Sequence, residues 1–260
     1  MKEKLFQKEA DLCAAFIAEV TNKKGWRAYC ETGGFDILLV READGLQIGI
    51  EAKLSFNLKV LTQALPDCSK YSHALIGPDH RAVLVPSGET QLGLKTICDW
   101  LGITVISLRD NSDGNPRRYQ TFSPDLPSAR WNSCDWHYWA PLNRCSLPDY
   151  VPDVGAGHSS PIKLSDWKIA AIKLMIVLDE RPVSRADFKA LQLSPTRWLD
   201  PWTGWLVLVP GTKTYIAGPH LPDFKAQHPI NYAEIAADKE KWMQLHRIAA
   251  IPVEQIGLAI

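Results

Sequence analysis

FDILLVREADGLQIGIEAKL, residues 35–54, is the stretch on which the fold turns. Residues 35–41 are strongly apolar and read as a strand, and Asp44-Gly45 is a hairpin signal. Beyond it, Leu46, Ile48, Ile50, Ala52 and Leu54 alternate with Gln47, Gly49, Glu51 and Lys53, so a second strand carries Glu51 and Lys53 on one face. Gly49 beside them is expected to leave room for a ligand backbone. Asp36 shares its face with Leu38 and Val40, where a carboxylate needs a partner because an unpaired buried charge is costly. Counted outward from the turn, Asp36 and Glu51 come roughly opposite one another. Two convergent carboxylates make a hard-oxygen site suited to Mg²⁺ or Mn²⁺. A lysine on the same face holds or activates an attacking water and offsets charge developing on a phosphate.

Upstream, Leu5, Leu12, Phe16 and Val20 recur at helical spacing over residues 4–20, and residues 26–30 read as a short strand ending at the Gly33-Gly34 turn. Glu9 lies on the stripe of Leu5, Leu12, Cys13 and Phe16, which turns it inward. Downstream, Ser55 and Asn57 open a short helix around residues 58–65. Apolar strands near 73–76 and 82–85, a helix over 90–101 and a strand over 104–108 complete the domain. The expectation for residues 1–109 is therefore a mixed α/β domain.

In this order of elements, residues 1–108 resemble the PD-(D/E)XK, or restriction-endonuclease-like, nuclease superfamily. Glu51-Ala52-Lys53 alone is a common spacing; its place on the second hairpin strand and the acid at Asp36 carry the likeness. Phe35 stands where the eponymous proline would be. The resemblance implies a mixed β-sheet core flanked by helices, with Asp36 and Glu51 binding divalent metal and Lys53 assisting the nucleophilic water. It further implies that Glu9 is an additional metal-binding acid and Gln63 an accessory glutamine.

Residues 110–162 change in texture, being irregular and rich in proline, with Trp131, Trp136 and Trp139 among them. They read as an ordered Trp/Pro-rich connector. Cys134, His137, Cys145 and His158 fit no standard zinc knuckle, because tight ligand pairs are missing. Arg117, Arg118 and Arg130 are candidates for the lining of a nucleic-acid groove. Over residues 163–260 a helical period returns at 165–178, and a capping sequence at Ser184–Asp187 opens a second helix. Ser194-Pro195 opens a third helix over 196–199. Two strands around Pro210-Gly211 and a last helix over 232–249 follow. Three helices and a hairpin look like a winged helix, a fold that commonly docks its third helix in the DNA major groove. Arg185, Lys189, Arg197 and Lys213 are then the candidate phosphate contacts. The last helix is expected to pack back on this domain or to form a homodimer interface.

No apolar run approaches the length of a membrane span, and the first residues, MKEKLFQKEADLC, lack the apolar region of a secretory signal. With six scattered cysteines, these features predict a cytoplasmic protein with reduced thiols. Lys and Arg balance Asp and Glu at 29 each, which speaks against a general nucleic-acid coat protein but not against local basic surfaces. The chain has no phosphate loop, dinucleotide fingerprint or G-x-S-x-G, so no nucleotide cofactor is expected. The resulting expectation is a metal-dependent nuclease acting on DNA. A catalytically inactive DNA- or protein-binding regulator on the same scaffold is the alternative, and RNA is a third possibility for the substrate.

Overall fold

The computed structural model describes residues 6–65, 76–89, 92–109, 121–128, 135–153, 155–157 and 164–248. The chain divides into two compact units, Met1–Lys163 and Leu164–Ile260.

The first unit opens with α1, Glu9–Thr21, whose stripe of Leu12, Cys13, Phe16 and Val20 is wholly buried. Burial of each large apolar side chain stabilises the fold by about 1.5–3 kcal/mol. The helix begins later than its apolar spacing predicts. Lys8 is extended and offers no side-chain cap, and Glu9 and Asp11 complement the dipole at the new start; residues 1–5 lie outside the described residues. Three strands follow: β1 (Trp26–Thr32), β2 (Phe35–Arg41) and β3 (Gln47–Ala52). Next comes α2 (Leu58–Ala64), where the Asn57 side chain accepts from the Lys59 and Val60 N–H groups. Then come β4 (His80–Pro86), α3 (Leu92–Trp100), β5 (Ile103–Leu108) and the two-residue β6 (Phe122–Ser123), too short to leave a periodic signal. Residues 73–75 of an expected strand lie outside the described residues, and Ile76 forms an isolated bridge with Asn143.

The six strands lie in chain order, β1 to β6. The first three are antiparallel neighbours, β3, β4 and β5 run parallel, and β6 returns antiparallel. β3 and β4 are buried along their whole lengths because both faces are covered. Ile37, Leu39, Ile48, Ile50, Ala82 and Leu84 pack with α1, whereas Val83, Val85, Ile103 and Val105 pack with α2 and Cys98 of α3. Adjacent residues thus serve opposite cores, as strand alternation requires. Described parts of the Trp/Pro-rich segment pack within this unit. Trp136 is buried in the core under α1 and its indole donates to Asp125 O, and Cys145 and Val151 pack against Tyr29, Phe35, Leu38 and Val40.

In the second unit α4 (Asp166–Leu178), capped by Ser165, precedes β7 (Val183–Ser184), α5 (Arg185–Ala190) and α6 (Thr196–Leu199). β8 (Leu206–Leu208) and β9 (Thr214–Ala217) form the expected hairpin, and β7 joins it in the antiparallel order β7-β9-β8. Trp198, fully buried, is ringed by Trp167, Phe188, Trp205 and Phe224 at centroid distances of 5.3–6.2 Å. The single helix expected over 232–249 is instead a series: α7 (Phe224–Gln227), α8 (Pro229–Ala237) and α9 (Lys239–His246). Asp238 leaves helical geometry, the Trp242 indole bonds back to Ile235 O across the break, and Arg247 ends α9 in the left-handed region. Among the described residues, no helix is long and apolar enough to cross a membrane.

Candidate active site

The loop between β2 and β3 fixes which side chains meet. It is a four-residue loop rather than a two-residue turn: the Arg41 N–H donates to Leu46 O and the Gly45 N–H, at φ +70°, donates to Arg41 O, both at 2.8 Å. Asp44 clamps the Arg41 guanidinium at 2.8 and 2.6 Å, and this pairing holds the Asp44 carboxyl down at about 2. The resulting register pairs Val40 with Gln47, Leu38 with Gly49 and Ile37 with Ile50. One step further along the same register, Asp36 falls opposite Glu51.

Asp36 Oδ2 accepts the Ala52 N–H at 2.8 Å, which ties this carboxylate to the end of β3. Glu51 is 4 % exposed. Burial, then the neighbouring negative charge of Asp36, with smaller contributions from Glu31 and Glu9, pushes its carboxyl up to about 8, against the opposing pull of Lys53. Lys53 donates its backbone N–H to Leu84 O, and its ammonium meets Glu9 Oε2 on α1 at 2.7 Å. Burial disfavours that charge, but the bond to Glu9 and the carboxylates of Glu9, Asp36 and Glu51 outweigh it, so Lys53 is held above the ordinary lysine range. A lysine so placed is charged at neutral pH. It donates hydrogen bonds and does not take up a proton.

The chain thus brings Asp36, Glu51, Lys53 and Glu9 together. Gln63 is exposed on α2 and takes no part in the bonds joining them. The role expected of Gly49 is not met: a Cβ there would stand 2.6–2.7 Å from the Phe35 ring. The space above Gly49 is filled by Phe35, whose ring lies 5.4 Å from the Arg81 guanidinium. The glycine admits an aromatic side chain of its own protein rather than a ligand. Among the described residues, no group of three or more His, Cys, Asp or Glu side chains stands in a metal-holding arrangement.

Glu31, on β1, is a residue that sequence reasoning misses. It lies between the pairs Cys30–Ile37 and Thr32–Phe35, which sets it opposite Asp36. Its backbone is left-handed, φ +52°, and its Oε1 accepts the Gly157 N–H at 3.0 Å. The signal that finds it is a count outward from Gly33-Gly34. In the other hairpin the centre is the four-residue loop 42–45, and a two-residue turn at Asp44-Gly45 would instead set Asp36 opposite Lys53.

In the second unit Arg185 and Lys189 are exposed on α5, Arg197 on α6 and Lys213 in the β8–β9 turn; the Arg197 guanidinium lies 4.7 Å from the Trp205 ring. Of the residues weighed for zinc, Cys134 and His158 lie outside the described residues, as do Arg117, Arg118 and Arg130. The His137 carbonyl is bonded to His80 and the Cys145 backbone to Gln47. Cys13, Cys30, Cys98 and Cys145 are free thiols. No family model, curated protein or solved structure matches the chain.

Proposed function

We propose that the first unit is a nuclease core of the PD-(D/E)XK kind, hydrolysing DNA phosphodiester bonds with Mg²⁺ or Mn²⁺, and that the second is a winged-helix-like module holding DNA. The observation that carries this reading is the register that sets Asp36 opposite Glu51 with the Lys53–Glu9 pair beside them. A carboxyl that retains its proton because it is buried among like charges suits a hard cation, which relieves that repulsion. Asp36 and Glu51 are the residues that would hold it; water and substrate phosphate oxygens complete such a shell. A bound divalent cation supplies charge neutralisation at the phosphate during in-line displacement. Lys53, being charged, orients the attacking water or a phosphate oxygen through N–H donation. Glu9 keeps the lysine charged and aimed.

The test is cleavage of plasmid, linear duplex and single-stranded DNA, with RNA in parallel, in Mg²⁺ or Mn²⁺ and after chelation. Cleavage that stops with chelator is expected, and Asp36→Ala and Lys53→Ala should each lower it by about 10²-fold or more while the protein stays folded. The Lys53–Glu9 pair, and the lack of a ready three-residue cluster among the described residues, favour one second reading, a binding regulator on a nuclease-like scaffold. Binding of duplex, single-stranded and branched DNA without cleavage of any of them would select it.

A further inference from the structure

Three contacts lead from β1 to the lysine of the site. The Glu31 carboxylate accepts the Gly157 N–H at 3.0 Å, a link between residues 126 positions apart. Gly157, at φ +75°, lies on the first turn of α1 so closely that a Cβ would come 3.1 Å from Ala10 N and 3.2 Å from the Glu9 carbonyl carbon. Glu9, on that turn, holds the Lys53 ammonium at 2.7 Å. Ala156 is 2 % exposed in the core under α1 and its backbone reaches the Cys30 sulfur, so residues 155–157 are seated rather than draped. Glu31 takes a left-handed backbone within a strand, a conformation that side-chain-bearing residues adopt at a cost and keep where the surroundings impose it.

We propose that Glu31 is a positioning residue of the catalytic centre: it clasps Gly157 against the start of α1 and so fixes Glu9 and, through Glu9, Lys53. The proposal rests on the nuclease reading for its catalytic half. The part played by Glu31 is that of a hydrogen-bond acceptor, so an amide oxygen should serve in place of the carboxylate. Gly157 is the reciprocal element, since the clasp needs both its positive φ and its missing side chain.

The experiment compares full-length wild type, Glu31→Ala, Glu31→Gln and Gly157→Ala in Mg²⁺-dependent cleavage of linear duplex DNA, with kcat and KM separated. A second readout is the rate of maleimide labelling at Cys13 and Cys30, both buried in the same core cluster as Ala156. Glu31→Ala and Gly157→Ala are expected to lower kcat by about ten-fold or more with KM little changed, and to speed labelling. Glu31→Gln is expected to stay within about three-fold of wild type in both. Equal damage in Glu31→Gln and Glu31→Ala overturns the positioning role in favour of a requirement for the charge itself. Unchanged kcat in Glu31→Ala also overturns it, and if that variant does not fold, unchanged kcat in Gly157→Ala does so. A wild type that cleaves nothing removes the nuclease reading and the catalytic half with it. Labelling then decides the clasp alone, and unaltered rates in Glu31→Ala or Gly157→Ala overturn it.

Discussion

A carboxyl that is 4 % exposed and faces Asp36 keeps its proton up to about pH 8, whereas in the unfolded chain Glu51 loses it near about pH 4.3. Between those two values the folded protein binds more protons than the unfolded one, so its stability falls as pH rises through this window and levels off above it. Each ten-fold change in an ionisation constant is about 1.4 kcal/mol, so the loss amounts to a few kcal/mol. Glu51→Gln removes it. Without metal, the variant should melt several degrees above wild type at pH 8.5, and the two should converge near pH 4, as thermal unfolding across pH will show. The same variant should be inactive as a nuclease. In wild type, a cation at this position must displace the proton. Titration calorimetry at pH 7 in buffers of different ionisation enthalpy should therefore detect about one proton released per Mg²⁺ bound. Asp36, Glu51, Lys53 and the inward turn of Glu9 are legible in the sequence because strand alternation and the helical period are local rules. Glu31 depends on the β1–β2 register and Gly157 on a contact 126 residues away, which no local period encodes.

At the scale of the elements, two positions expose the difference between packing and function. Gly49→Ala pushes a methyl group into the Phe35 ring, and the strand pair β2–β3 must shift to admit it. A loss of about 1–3 kcal/mol is expected, measured by denaturant unfolding, and Phe35→Leu in the same chain should recover part of it. A site for ligand approach would behave in the opposite way, losing activity at unchanged stability. In the second unit, the buried Asp187 side chain receives the Ser184 N–H and Oγ–H and the Arg181 guanidinium at 2.6–3.1 Å. Burial opposes its charge, yet Arg181 and Ser184 hold it below the usual carboxylate range. Asp187→Ala strands these donors at the start of α5, and about 2–4 kcal/mol of stability should disappear at pH 7. That penalty should shrink as acid protonates Asp187 in wild type. The start of α5 is readable from Ser184–Asp187, and the β8–β9 hairpin from Pro210-Gly211. The break at Asp238 is not, because helical spacing continues across it in the sequence while Trp242 folds back onto Ile235.

For the molecule as a whole, the proposed nuclease core and DNA-holding module should make separable contributions. Arg185, Lys189, Arg197 and Lys213 are exposed, so their replacement by Ala should leave the melting temperature within a degree or two, apart from the packing of Arg197 on Trp205. Removing a side chain that neutralises a phosphate should weaken duplex binding and lower the slope of log affinity against log salt by roughly 0.9. Fluorescence anisotropy at several salt concentrations measures both. An unchanged slope in the fourfold variant would remove these four residues from the DNA interface. Maximal cleavage rate at saturating DNA should change little in the same variant, because none of these residues belongs to the set around Glu51.

The strand order β1 to β6 has a consequence in time. Sheet neighbours are also chain neighbours, so β1, β2 and β3 can pair on a ribosome while most of the first unit is still unmade. Residues 155–157 arrive about a hundred residues after β3 is complete. A nascent chain therefore carries the acids and the lysine long before the contact of Gly157 with α1 can form. On the proposed nuclease reading, translation itself would delay the arming of the site until the first unit is all but finished.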